Sequence, residues 1–121
     1  MKPLTSPALS EFLSRFDNFK GSELRSVEVI NPFEIKVIIA TQDKARAFDW
    51  ITIELLFSGV EAANLIEDNQ LNFLDMQDGL SILYDENRFA FGVGECYNIS
   101  SIKSSSLYII SETLKYKEGQ F

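Results

Sequence analysis

A chain of 121 residues, 45% of them hydrophobic, has the size of one domain, and halves of it would be too small to bury a useful core. The absence of histidine and the single cysteine, Cys96, exclude Ser-His and Cys-His nucleophile pairs and an internal disulfide, and leave a zinc site short of ligands. A formal charge of −7 disfavours nucleic acid, whose phosphates need Lys and Arg.

Residues 1–6 read as a flexible tail. From Pro7 to Phe19, Leu9, Phe12, Leu13 and Phe16 recur at helical spacing, with Ser6 as N-cap, Pro7 at the first helical position and Gly21 as a left-handed stop. The period then switches to two. Leu24 to Ile30 is the first expected strand, with Arg25, Val27 and Val29 on one face. Asn31-Pro32 signals a turn, and Phe33 to Ala40 is the second strand, with Phe33, Ile35, Val37 and Ile39 opposite Glu34 and Lys36. The polar run Thr41 to Arg46 reads as a connecting loop. In Phe48 to Phe57, Ile51, Ile53, Leu55 and Phe57 form a wholly apolar set, while Trp50, Thr52, Glu54 and Leu56 form a mixed one. That is a strand buried on one face and partly wet on the other, well inside an antiparallel sheet.

Ser58-Gly59 interrupts the pattern, and Val60 to Ile66 is either strand continued past a bulge or a short helical turn. Asp68 to Met76 is a loop or single turn anchored by Leu71, Phe73 and Leu74 and closed by Asp78-Gly79. Leu80 to Tyr84 and Arg88 to Val93 alternate as a hairpin, and Gly92 and Gly94 mark a bulge or a close backbone approach. The serine-rich residues 95–106 read as an exposed loop, and Leu107 to Lys117 as a long last strand. The expected fold is a single α+β domain over 1–121. Helix 7–19 packs on a curved, mainly antiparallel sheet of six or seven strands within 23–117, and a partly closed β-barrel is the alternative.

The charge is unevenly placed. Residues 61–87 hold Glu61, Glu67, Asp68, Asp75, Asp78, Asp85 and Glu86 and no Lys or Arg, whereas eleven acids and eleven bases balance over the remainder. Such a stretch attracts and steers a basic protein partner, or serves solubility alone. Trp50 and Leu56 share a strand face with Thr52 and Glu54. Left uncovered they form an apolar anchor ringed by charge; covered by the helix or by residues 61–79 they are core. The seven acids and Trp50 are therefore the candidate partner-binding set.

Other chemistry finds little support. Gly92-Val93-Gly94 has Tyr97 where a dinucleotide fingerprint needs its third Gly. Asp68 to Asp75 lacks the central Gly of a calcium loop and carries apolar residues within it. Glu95 beside Cys96 opposes a reactive thiolate. No cofactor and no catalytic residue is expected, although carboxylates alone can perform acid–base work when two converge in a cleft. No apolar run approaches the ~18–20 residues of a membrane span. Met1 to Pro7 lacks the apolar stretch of a signal peptide, and with one cysteine a cytoplasmic location is expected.

Several phrases taken together resemble small bacterial proteins of the toxin-immunity type: Phe48-Asp49-Trp50, Phe57-Ser58-Gly59-Val60, Phe73-Leu74-Asp75-Met76 before Gly79, and Ile109-Ile110-Ser111 before Leu114-Lys115-Tyr116. The resemblance covers residues 48–121 and rests on strand and turn phrases. It implies a non-enzymatic inhibitor of a basic toxin domain encoded beside it. The alternative function is a sheet or half-barrel binding a small apolar ligand among Trp50, Tyr84, Phe89 and Phe91. A homodimer through an uncovered edge strand is the alternative partner arrangement.

Overall fold

The computed structural model describes residues 1–121. Seven strands form one antiparallel sheet: β1 (Lys2–Pro3), β2 (Glu23–Asn31), β3 (Glu34–Asp43), β4 (Asp49–Asn64), β5 (Leu80–Asp85), β6 (Arg88–Val93) and β7 (Tyr108–Gln120). Their order is β2-β3-β4-β7-β6-β5, with β1 added beside β7. The fold is α+β, as the alternation predicts. Because β2 and β5 end the sheet without meeting, it is not a barrel.

Strand β4 is the spine. It pairs with β3 from Asp49 to Ser58 and with β7 from Ile51 to Asn64, with a bulge between Val60 and Ala62. Ile51, Ile53, Leu55 and Phe57 are all buried, while Thr52, Glu54 and Leu56 are only half-buried on the other face. There Glu54 faces Lys117, and Leu56 lies between Lys36 and Lys115, so the wet face is stitched by cross-strand pairs.

The core face is covered by helix α1 (Leu9–Arg15) and its flanking 3₁₀ turns. The helix is shorter than the 7–19 span that its apolar spacing predicts. Thr5, not Ser6, precedes the first 3₁₀ turn, and no side chain caps it. At the far end Asp17, Asn18 and Phe19 take φ of 53, 52 and 58°, a left-handed turn before Gly21 is reached. Three non-glycine residues there cost about 1–2 kcal/mol each. The return is aromatic packing, since the reversal stacks the buried Phe19 ring on Phe16 at 5.4 Å, while Phe12 meets Phe16 edge-on at 5.2 Å. Residues 1–6 are not a free tail either. Lys2 and Pro3 pair with Tyr116 and Lys115, and Leu4 is buried.

Three further segments depart from expectation. Thr41 to Arg46 is a connecting loop only over Lys44–Arg46, an exposed turn, because β3 runs on to Asp43 and Thr41 and Asp43 are buried. Phe73 does not anchor the 68–73 turn. Its side chain is 81% exposed, and Leu71 alone is fully tucked under. Within the serine-rich stretch lies a second helix, α2 (Ile99–Lys103), whose Ile102 packs with Ala90 and Ile110 on the face of the sheet opposite α1. A Cβ on Gly92 would meet Ile102 Cδ1 at 3.0 Å, so this glycine is what lets α2 approach β6.

Helix α2 starts on a reciprocal cap: Asn98 Oδ1 accepts from the Ser101 N–H at 2.8 Å, and Ser101 Oγ accepts from the Asn98 N–H at 3.1 Å. Asn98→Ala is expected to cost about 1 kcal/mol, read as a lower urea midpoint at unchanged slope. A loss below about 0.3 kcal/mol would mean that Ile102 burial alone holds the helix.

Candidate functional site

All seven acids of residues 61–87 are exposed. They do not form one continuous cluster. Glu67 and Asp68 lie where the 68–73 turn crosses edge strand β2, and Asp68 Oδ1 accepts the Val27 N–H at 3.1 Å. Asp75 and Asp78 flank the return toward β5; Asp75 accepts from Gln77 N–H at 2.9 Å. Gly79, just beyond, has φ +71° and sits so close to Asn18 that a Cβ would lie 2.0 Å from its carbonyl oxygen.

Asp85 and Glu86 sit at the β5–β6 turn, where Glu86 and Asn87 take φ of 53 and 62°, the left-handed pair of a two-residue hairpin turn. Glu61 on β4 reaches the same place. Arg88 binds Glu61 at 3.1 Å and Glu86 at 2.8 Å, and Glu61 first, then Glu86, holds its guanidinium pKa above the ordinary value. The structure thus brings Glu61 and Glu86 together around a base, and leaves Glu67, Asp68, Asp75, Asp78 and Asp85 without any Lys or Arg partner.

Trp50 is 38% exposed at the end of β4, away from these acids in the ladder, and lies against Phe121 at 5.5 Å; the Arg25 guanidinium lies over the Phe121 ring at 4.5 Å. The four aromatics considered for a ligand pocket do not share one. Phe91 is fully buried edge-on to Phe57, Phe89 is buried beside Tyr84, and Trp50 belongs to the opposite face. Burial pushes the Cys96 thiol above its ordinary pKa, the wrong direction for a nucleophile. No group of three or more His, Cys, Asp or Glu side chains is placed to hold a metal ion, and no helix is long and apolar enough to cross a membrane.

Two features are invisible in the residue pattern. The first is a charged knot at the end of β3: Arg15 reaches from α1 to give both oxygens of the fully buried Asp43 a hydrogen bond, at 2.8 and 2.7 Å. Arg46 approaches the same carboxylate at 3.4 Å, and both arginines also bind Glu118 of β7. The second is an open groove of about 700 Å³ between α1 and edge strand β5. The alternation of Leu80, Ile82 and Tyr84 identifies the strand, but nothing in it marks that strand as the end of the sheet. Comparison with protein-family models, with curated protein sequences and with solved structures found no match.

Proposed function

We propose that the chain is a non-catalytic, cytoplasmic protein-binding module, an immunity-type inhibitor of a basic toxin domain. One observation carries the reading. Five carboxylates (Glu67, Asp68, Asp75, Asp78 and Asp85) are exposed with no Lys or Arg within salt-bridge distance, on a chain whose acids and bases cancel outside residues 61–87. Uncompensated carboxylates on one side of the ledger steer a cationic partner, raising association from about 10⁵–10⁶ toward 10⁸–10⁹ M⁻¹s⁻¹ at low salt. The sequence resemblance to toxin-immunity proteins supports the same class.

The test uses the product of the neighbouring gene. That product is expected to be toxic when expressed alone and tolerated when co-expressed with this chain. Changing Glu67, Asp75 and Asp78 together to Lys is expected to slow association about 10–100-fold and to flatten its salt dependence, without altering the far-UV spectrum. Asp68 is left intact because it holds the β2 edge. A harmless neighbour, or protection and association unchanged by the triple reversal, contradicts the proposal.

A further inference from the structure

The core of the sheet is not covered to its end. Val29 of β2 pairs with Ile35 of β3, and Ile35 pairs with Phe57 of β4. Ile35 and Phe57 are buried, yet Val29, in the same row, is 59% exposed. At the turn that follows, Ile30 is exposed as well, and Phe33 is 67% exposed beside Val60, whose N–H its carbonyl accepts at 3.0 Å. The segment after β4 closes this end of the core through Leu65, Ile66 and Leu71, and it stops short of the tip. Single exposed apolar residues are ordinary, whereas three within five residues of one hairpin form a patch.

Carboxylates border the patch. Asp68 bonds the Val27 N–H at 3.1 Å, and Val29 stands two residues, about 7 Å, further along the same strand. Glu67 precedes Asp68. On β3, Glu34 takes its hydrogen bonds from neutral donors, Asn31 Nδ2 at 2.7 Å and Ser58 Oγ at 3.0 Å. None of these three acids has a Lys or Arg within salt-bridge distance. The bases on this part of the sheet are already paired or remote. Lys36 is bound to Glu28 at 3.5 Å, Arg88 is bound to Glu61 and Glu86, and Lys115 lies beyond Leu56, two strands from β3.

That combination selects the occupant. A partner must bring apolar side chains with Lys or Arg beside them. A second copy set on the tip about a two-fold axis would bring its own Glu34, Glu67 and Asp68 to the same rim, where like charges repel.

We propose that the β2–β3 tip, Val29, Ile30 and Phe33 bordered by Glu34, Glu67 and Asp68, is the surface on which the cationic partner docks. The acids steer the encounter and the apolar residues hold the complex. This rests on the inhibitor reading and adds where the partner sits; Trp50, at the opposite end of β4, is outside the surface.

The probe is the neighbouring gene product, with its association to the full chain and its dissociation timed separately. Val29→Thr with Phe33→Ser removes apolar area that is already in water, so the urea midpoint is expected to stay unchanged. Dissociation is expected to quicken about 30-fold while association stays within about twofold, because apolar contacts act after encounter. Trp50→Ser is expected to alter neither rate. Should the double variant fold poorly, Phe33→Ser alone, in the turn, carries the test. If the Phe33 variant keeps both rates while lysines at Glu67, Asp75 and Asp78 still slow association, the docking surface is wrong and the inhibitor reading stands. A neighbour that is harmless and does not bind overturns both. Faster dissociation from Trp50→Ser alone, or a free chain that sediments as a dimer until Phe33 is replaced, also overturns the proposal.

Discussion

Arg15→Ala is expected to destabilise the fold by about 3–5 kcal/mol, a large part of the about 5–15 kcal/mol that holds a domain together. The loss arises from what is left behind. Asp43 is fully enclosed, and without Arg15 its carboxylate retains the Ala45 N–H at 2.9 Å and Arg46 at 3.4 Å. Asp43→Ala should cost less, because the stranded Arg15 keeps Glu118 and reaches solvent. The double variant should be less damaging than the two losses added, since neither charge is then orphaned.

The acid limb checks the same pair. The Arg15 hydrogen bonds, outweighing burial, hold the Asp43 carboxyl below its ordinary pKa. A carboxyl depressed on folding contributes fully above its unfolded value of about 3.9, and the contribution is lost as pH falls through the lower folded value. The stability gap between the native chain and Arg15→Ala should therefore narrow below about pH 4. A gap that does not change with pH would show that the knot is not what Arg15 contributes.

Phe91→Ala is the second large loss, about 3–5 kcal/mol. Phe91 is fully buried on β6, opposite Ile82 of β5 and Ile109 of β7, and its ring meets Phe57 of β4 edge-on at 5.2 Å. With Leu80, Ile82 and Phe89 it joins the β5–β6 hairpin to the core of the spine. Phe91→Leu should recover more than half of the loss by refilling most of the volume, as urea unfolding would report. A deficit below about 1 kcal/mol in the alanine variant would place the core elsewhere.

Much of the sheet is legible because its strands are half-buried, which writes period two into the sequence. Ile51, Ile53, Leu55 and Phe57 announce both the strand and its buried face. Asp43 is misread for the opposite reason: its partner Arg15 lies 28 residues away, so a polar run that ends in a buried ion pair is indistinguishable from a loop. Helix α2 escapes because its five residues owe their conformation to Ile102 being pinned on Ala90 and Ile110. Its cap was legible in part, as Asn98 and Ser101 stand three apart, though serine replaces the usual Glu or Gln. The acids are exposed, yet their grouping is not legible, because Arg88 from just outside the run ties Glu61 to Glu86 while the 65–79 segment carries Glu67, Asp68, Asp75 and Asp78 away.

The sheet order places β7 between β4 and β6, although it comes last of the strands in the chain. During synthesis the β2–β3–β4 meander and the β5–β6 hairpin can each zip locally, but they have no shared border until residues 108–120 leave the ribosome. Until then the growing polypeptide shows two unpaired strand edges, on β4 and on β6, to any strand that will pair with them. Cutting the gene before β7 would accordingly yield one shortened chain with two undocked pieces of sheet, prone to aggregation, not a smaller working domain.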